Sequence, residues 1–279
     1  MKVYYLPLFF IVICNMAISA YSQNTSSDEG YLTNWFDRVS KTQSEQPHWI
    51  TPMFTTTPRL EEEFRYDIGS ENTSKGQLTN YGVSKGLELI PSEHTEVIIG
   101  LPPYISHDYA KAIDGFGDVS FLLKYRILAA NEESGNYIVT AFLGMTIPTG
   151  EYKNGSSDAV ITPTLAFGKG WGNFNFQSTV GVGIPTGSYD ALGTPVPWNT
   201  AFQYRILKKI WPEIEVNATF FPNGDHSGNQ QVFLSPGLVV GRLHLYKRLG
   251  LTIGGGIQIA ATHFHTYDQN RVLSIRFPF

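Results

Sequence analysis

Side chains able to do chemistry fall into three groupings in this chain. Asp225-His226-Ser227 sets a carboxylate, an imidazole and a hydroxyl side by side, the residue types of a serine hydrolase acting on lipid. A nucleophilic serine needs a base held opposite it by geometry, which neighbours in a Gly- and Asn-rich stretch do not supply. His263-Phe264-His265 puts two imidazoles on one face of an extended segment; with His107, His226, Asp108, Asp225 and Asp268 they would bind a transition metal only where their loops converge. The plainer reading is hydrated loop residues, and neither a metal nor a cofactor is expected. Glu61 with Glu63, and Glu213 with Glu215, are paired carboxylates of the kind glycoside hydrolysis uses, but positions two apart share one face of a strand by period alone. No catalytic residue is assigned.

The remaining charges recur at alternate positions, so the elements that position them are strands. Phe64, Tyr66 and Ile68 alternate with Glu63, Arg65 and Asp67, and Phe121, Leu123 and Tyr125 alternate with Lys124 and Arg126. Phe174 and Phe176 face away from Asn175 and Gln177, and Ile214 and Val216 away from Glu213 and Glu215. Twelve such runs begin near residues 59, 77, 94, 117, 136, 159, 173, 198, 212, 230, 249 and 271. Short connections (91–94, 131–136, 168–172, 208–212, 246–250) alternate with longer polar ones (101–115, 148–158, 185–197, 222–229, 262–270). An even strand number with alternating turn lengths is the pattern of a transmembrane antiparallel β-barrel. Ile147-Pro148-Thr149-Gly150 returns as Ile184-Pro185-Thr186-Gly187, two strand exits into long loops. Trp171 and Trp211 beside short turns, and Trp198, Phe220 and Phe221 beside long loops, suit aromatic belts at the two interfaces.

In such a barrel the lumen-lining set is Glu61, Glu63, Arg65, Asp67, Lys124, Arg126, Arg205, Glu213, Glu215, Arg242, His244 and Arg276. Closure of the last strand on the first predicts that Arg276 faces Glu61 or Glu63. Glu213 and Glu215 are expected to meet Arg205, Arg242 or His244. These ladders either hold the wall together or line a narrow polar path for a small solute.

The ends of the chain agree. Lys2, the apolar run Leu6–Ile13 and small residues to Ala20 have the layout of a signal peptide, residues 1–22, which carries away Cys14, the one cysteine. Removing Lys2 from 20 basic residues leaves 19 against 24 acidic, with no basic block for nucleic acid. Residues 23–58 form an N-terminal periplasmic or plug segment, with Leu32, Trp35, Phe36 and Val39 at helical spacing over Tyr31–Val39. The final strand sets Leu273, Ile275, Phe277 and Phe279 on one face and ends on an aromatic, which resembles the C-terminal assembly signal of outer-membrane barrels and makes the barrel assembly machinery a partner.

With the strands placed, Gly115-Phe116-Gly117-Asp118, Leu123-Lys124-Tyr125-Arg126, the Ile-Pro-Thr-Gly exit, Gln46-Pro47-His48-Trp49-Ile50-Thr51-Pro52 and Thr57-Pro58-Arg59-Leu60-Glu61 resemble the outer-membrane transporter family named for the meta-pathway of phenol degradation. The resemblance covers roughly residues 46–279 and carries over no ligand-binding residue. It implies an all-β barrel, residues 59–279, in the outer membrane of a Gram-negative bacterium, in contact with outer-membrane lipid. It also implies diffusion of a small hydrophobic or aromatic solute. The alternatives are a structural or surface-binding barrel with a closed lumen, an outer-membrane lipid-modifying enzyme, and a soluble secreted all-β protein.

Overall fold

The computed structural model describes residues 28–82 and 85–279; the expected signal peptide and Cys14 lie outside the described residues. The chain divides into two compact units, Met1–Arg38 and Val39–Phe279. The first carries α1 (Asp28–Thr33) and the start of α2 (Trp35–Ser44), so the single helix expected over Tyr31–Val39 is two helices broken at Asn34. Tyr31 meets Trp35 edge-on at 5.9 Å, and the Arg38 guanidinium lies 4.3 Å from the centre of the Tyr31 ring.

The larger unit is a closed barrel of twelve antiparallel strands, three of them broken and one carrying a short continuation. They are β1 (Glu63–Thr73), β2 (Gly76–Tyr81 and Gly86–Ser92), β3 (Thr95–Gly100 and Tyr104–His107), β4 (Gly115–Phe116 and Val119–Ala130), β5 (Tyr137–Ile147) and β6 (Val160–Trp171). There follow β7 (Phe174–Gly181 and Ile184–Pro185), β8 (Val196–Tyr204), β9 (Ile210–Phe220), β10 (Gln230–Tyr246), β11 (Leu249–Ala260) and β12 (Gln269–Pro278), with α3 (Tyr189–Leu192) between β7 and β8. Each strand pairs with its sequence neighbours, and β12 closes on β1 in the register Glu63↔Pro278 to Asn72↔Gln269.

Burial runs opposite to that of an ordinary globular sheet. Phe121, Trp198, Phe202, Ile214, Leu238, Ile253 and Leu273 point outward and are exposed, while Lys124, Gln177, Gln203, Glu215, Ser274 and Arg276 point inward and are buried. An apolar exterior around a polar bore is the surface a barrel needs in lipid, where closure also removes every unpaired strand edge. Trp171 and Trp198 are on the exterior, but Trp211 is turned inward and buried, a correction to the expected belt.

Short turns gather at one end and longer loops at the other, apart from the tight β1–β2 connection at Ser74-Lys75 on the long-loop end. The second half of α2 sits on the short-turn end: Lys41 Nζ bonds the Glu93 carboxylate at 2.8 Å, and Arg126 donates to the Thr42 carbonyl (2.8 Å) and to Glu45 (2.9 Å). At the other end the repeated motif explains itself. Asp118, between the two pieces of β4, accepts from Gly150 N (2.8 Å), Ser156 N (2.8 Å) and Ser156 Oγ (2.6 Å). Burial pulls the Asp118 carboxyl up, and these donors outweigh it and hold it below the usual carboxylate range. In the second copy Asp158, just before β6, lies close to Gly187 and accepts from the Ser157 hydroxyl at 2.9 Å.

Candidate functional site in the bore

Between α2 and β1 the chain carries three prolines, Pro47, Pro52 and Pro58, which prevent it from joining a helix or a ladder. Residues 46–62 lie largely inside the bore instead, with His48 exposed beside the β4–β5 turn. The buried backbone polar groups are cut off from water and must find partners there, and the inward side chains of the wall provide most of them.

Gln46 first ties the segment into a loop, donating to the Leu60 carbonyl (2.7 Å) and accepting from Leu60 N (2.9 Å). His48 donates its amide to Glu132 at 2.7 Å and sets its ring Nδ1 2.7 Å from the same carboxylate. Burial raises the Glu132 carboxyl, and the His48 ring and amide outweigh it and hold it below the ordinary range. Gln177 donates to the Ile50 carbonyl (3.0 Å) and accepts from the Thr57 hydroxyl (2.6 Å). Arg276 donates to the carbonyls of Thr51 and Pro52, and Arg65 to those of Pro52 (3.3 Å) and Met53 (2.6 Å). Glu213 accepts from Met53 N (2.9 Å), and Glu215 accepts from Phe54 N (2.9 Å) and Thr55 N (2.6 Å), one to each oxygen. Thr140 and Lys124 donate to the carbonyls of Pro58 (2.6 Å) and Arg59 (3.1 Å). The Arg59 guanidinium folds back on the carbonyls of Pro47 and Trp49 and meets Glu61 at 2.5 Å. Trp49, Ile50 and Met53 pack with Ile138, Trp211, Val239 and Val272 into an apolar cluster inside the barrel.

The sequence-derived set is placed as follows. Glu63, Arg65, Asp67, Lys124, Arg126, Glu213, Glu215 and Arg276 are all inward and buried. Glu61 is buried too, but it precedes β1, which starts at Glu63 rather than at residue 59; Arg59, Leu60, Glu61 and Glu62 are enclosed on all sides as part of the inserted segment. Arg276 does not pair with Glu61 or Glu63. The seam register sets it opposite Arg65, and backbone carbonyls take its guanidinium. Glu213 and Glu215 do not meet Arg205, Arg242 or His244: the segment's own N–H groups reach them first. Arg242 reaches Glu61 at 3.2 Å. Arg205 lies in the β8–β9 turn against Asn173 and the Trp211 ring, and His244 is exposed at the end of β10, donating to the Lys247 carbonyl at 3.0 Å, so neither lines the bore. The lumen-lining set expected from the sequence left out Gln177, Gln203, Glu88 and Glu96, although Gln177 stood on a polar face already drawn.

The loop chemistry is not assembled. The Ser227 hydroxyl donates to the Pro222 carbonyl (3.3 Å) while the His226 ring packs against Phe221 and Phe264. His265 lies between the Thr262 carbonyl (2.7 Å) and Asp268 (2.9 Å), and among the described residues no group of three or more His, Cys, Asp or Glu forms a metal cage.

Residues 53–188, just under half of the chain, match the family described as "Putative MetA-pathway of phenol degradation". No curated protein matches the chain. The outer membrane channel from Pseudomonas putida F1 is 12% identical, with a TM-score of 0.54 over 77% of this chain and 92% of that one. The NanC porin is 13% identical, with a TM-score of 0.48 over 77% and 98%. At 12% identity the first of these likenesses establishes the barrel fold. The resemblance read from the sequence over roughly residues 46–279 is thus matched over residues 53–188, where the chain carries the pattern of the family named for the phenol meta-pathway.

Proposed function

We propose that the protein is an outer-membrane channel for a small hydrophobic or aromatic solute, with residues 46–62 as an internal plug that must shift for solute to pass. The short-turn end then faces the periplasm and the long loops face outward. One observation carries this reading: the inward charges of β1, β4, β9 and β12 are directed at the backbone of a single inserted segment. Lys124 also pairs with Glu96 across β3 and β4 at 2.9 Å, as wall cohesion requires, but Arg276 and Glu215 meet backbone groups of the segment rather than a charge on a neighbouring strand. Passage is by diffusion and uses no cofactor.

The apolar cluster around Trp49, Trp211 and Val239 favours a second reading, a barrel whose lumen stays shut. Planar-bilayer recordings of the full chain, of Glu215→Ala and of a deletion of residues 46–58 separate the two. Under the channel reading wild type conducts weakly and both variants conduct several-fold more. Equal, negligible conductance in all three, with each still migrating as a folded barrel in unboiled gels, rules the channel out.

A further inference from the structure

A cavity of about 210 Å³ lies in the bore between residues 53–56 and the wall of β3 to β6. An apolar cavity of roughly 150 Å³ takes up a benzene ring; this one has room for a single ring bearing one small substituent, with Thr56, Ser120, Thr146 and Thr162 making part of its lining polar. Its floor is Met53 and Phe54, and its wall carries Ile98 and Leu122 with Gly100 and Gly144.

The charges are one-sided. Among the described lining residues the ionisable side chains are Arg65 and Lys85, both cations. Arg65 is already engaged, by Asp67 at 2.8 Å and by the carbonyls of Pro52 and Met53. Lys85 is held only by a long ion pair with Glu88, at 3.8 Å. Its side chain is 7% exposed, its ammonium has no hydrogen-bond acceptor, and Glu88 does not line the cavity. A buried ammonium without an acceptor is costly, and an anion seated against it removes that cost.

We propose that this cavity binds a small carboxylate with an apolar body, of the arene monocarboxylate class, with Lys85 taking the carboxylate and Phe54, Ile98 and Leu122 the ring. The inference rests on the solute-path reading and adds the size and charge of the solute.

Benzoate is the probe, titrated calorimetrically into the full chain in detergent, with benzamide as its uncharged counterpart. Wild type binds benzoate, and Lys85→Met weakens that binding at least about tenfold while leaving benzamide unchanged; Lys85→Arg restores benzoate to within about threefold, because the charge is kept. Unboiled gels verify that each variant is a folded barrel. Benzoate bound equally by wild type and Lys85→Met, or not at all by folded wild type, overturns the site. Binding is read without flux, so a protein that conducts but ignores benzoate fails here alone. One that binds benzoate yet never conducts fails the channel reading alone.

Discussion

Glu215 holds the inserted segment with both carboxylate oxygens, one to the amide of Phe54 and one to that of Thr55. Glu215→Ala leaves two buried donors unmade, a loss of about 2–4 kcal/mol from the anchorage; hydrogen exchange at those two amides should quicken while exchange in β9 does not. The pH dependence belongs to Glu132. The His48 ring and amide hold its carboxyl below the ordinary carboxylate range, so its contribution is present above that range and disappears as pH falls through the lower, folded value. Exchange at the His48 amide should therefore be flat from neutral pH down to about 5, after correction for intrinsic rates, and rise below that, with Glu132→Gln already loosened at pH 7. Residue by residue, alternation alone identified Arg65, Lys124, Glu215 and Arg276 as inward. What it could not supply was their partners. Sequence patterns reveal side chains facing side chains, such as Arg65 with Asp67 and Lys124 with Glu96, whereas the contacts with the inserted segment are made to backbone carbonyl and amide groups, which carry no sequence signal.

At the scale of elements, all twelve strands were legible, because outward apolar and inward polar residues alternate wherever lipid lies on one side and a bore on the other. The segment at 46–62 was harder to place. It has no periodicity, since its conformation is dictated by prolines and by the wall. The first strand was drawn four residues too early for the same reason: Arg59 to Glu62 are buried on both faces, and a period-two pattern cannot distinguish a strand from enclosed irregular chain. The Ile-Pro-Thr-Gly repeat is explained by an aspartate near the start of the preceding strand. Asp118→Ala removes three hydrogen bonds from the β5–β6 loop, so proteolysis within residues 148–158 should increase several-fold while the heat-modified gel mobility of the barrel stays unchanged.

For the whole molecule, the inverted distribution of polarity sets where substitutions are tolerated. Leu238 is an outward residue in the middle of β10 and 45% exposed. A charge there faces hydrocarbon, so Leu238→Arg should cost about 2–4 kcal/mol in denaturant unfolding from vesicles. Lys75→Glu, a charge reversal at an exposed position in the tight β1–β2 turn, should cost almost nothing. The seam adds a mechanical consequence. The Pro52 carbonyl accepts from Arg65 on β1 and from Arg276 on β12, so one oxygen rivets the two strands whose pairing shuts the cylinder. Peeling β12 away by its free end must strip that rivet as well as the ladder. The toughness of the joint is thus set partly by a proline 224 positions upstream of Arg276, and the cylinder is strongest with its filling in place.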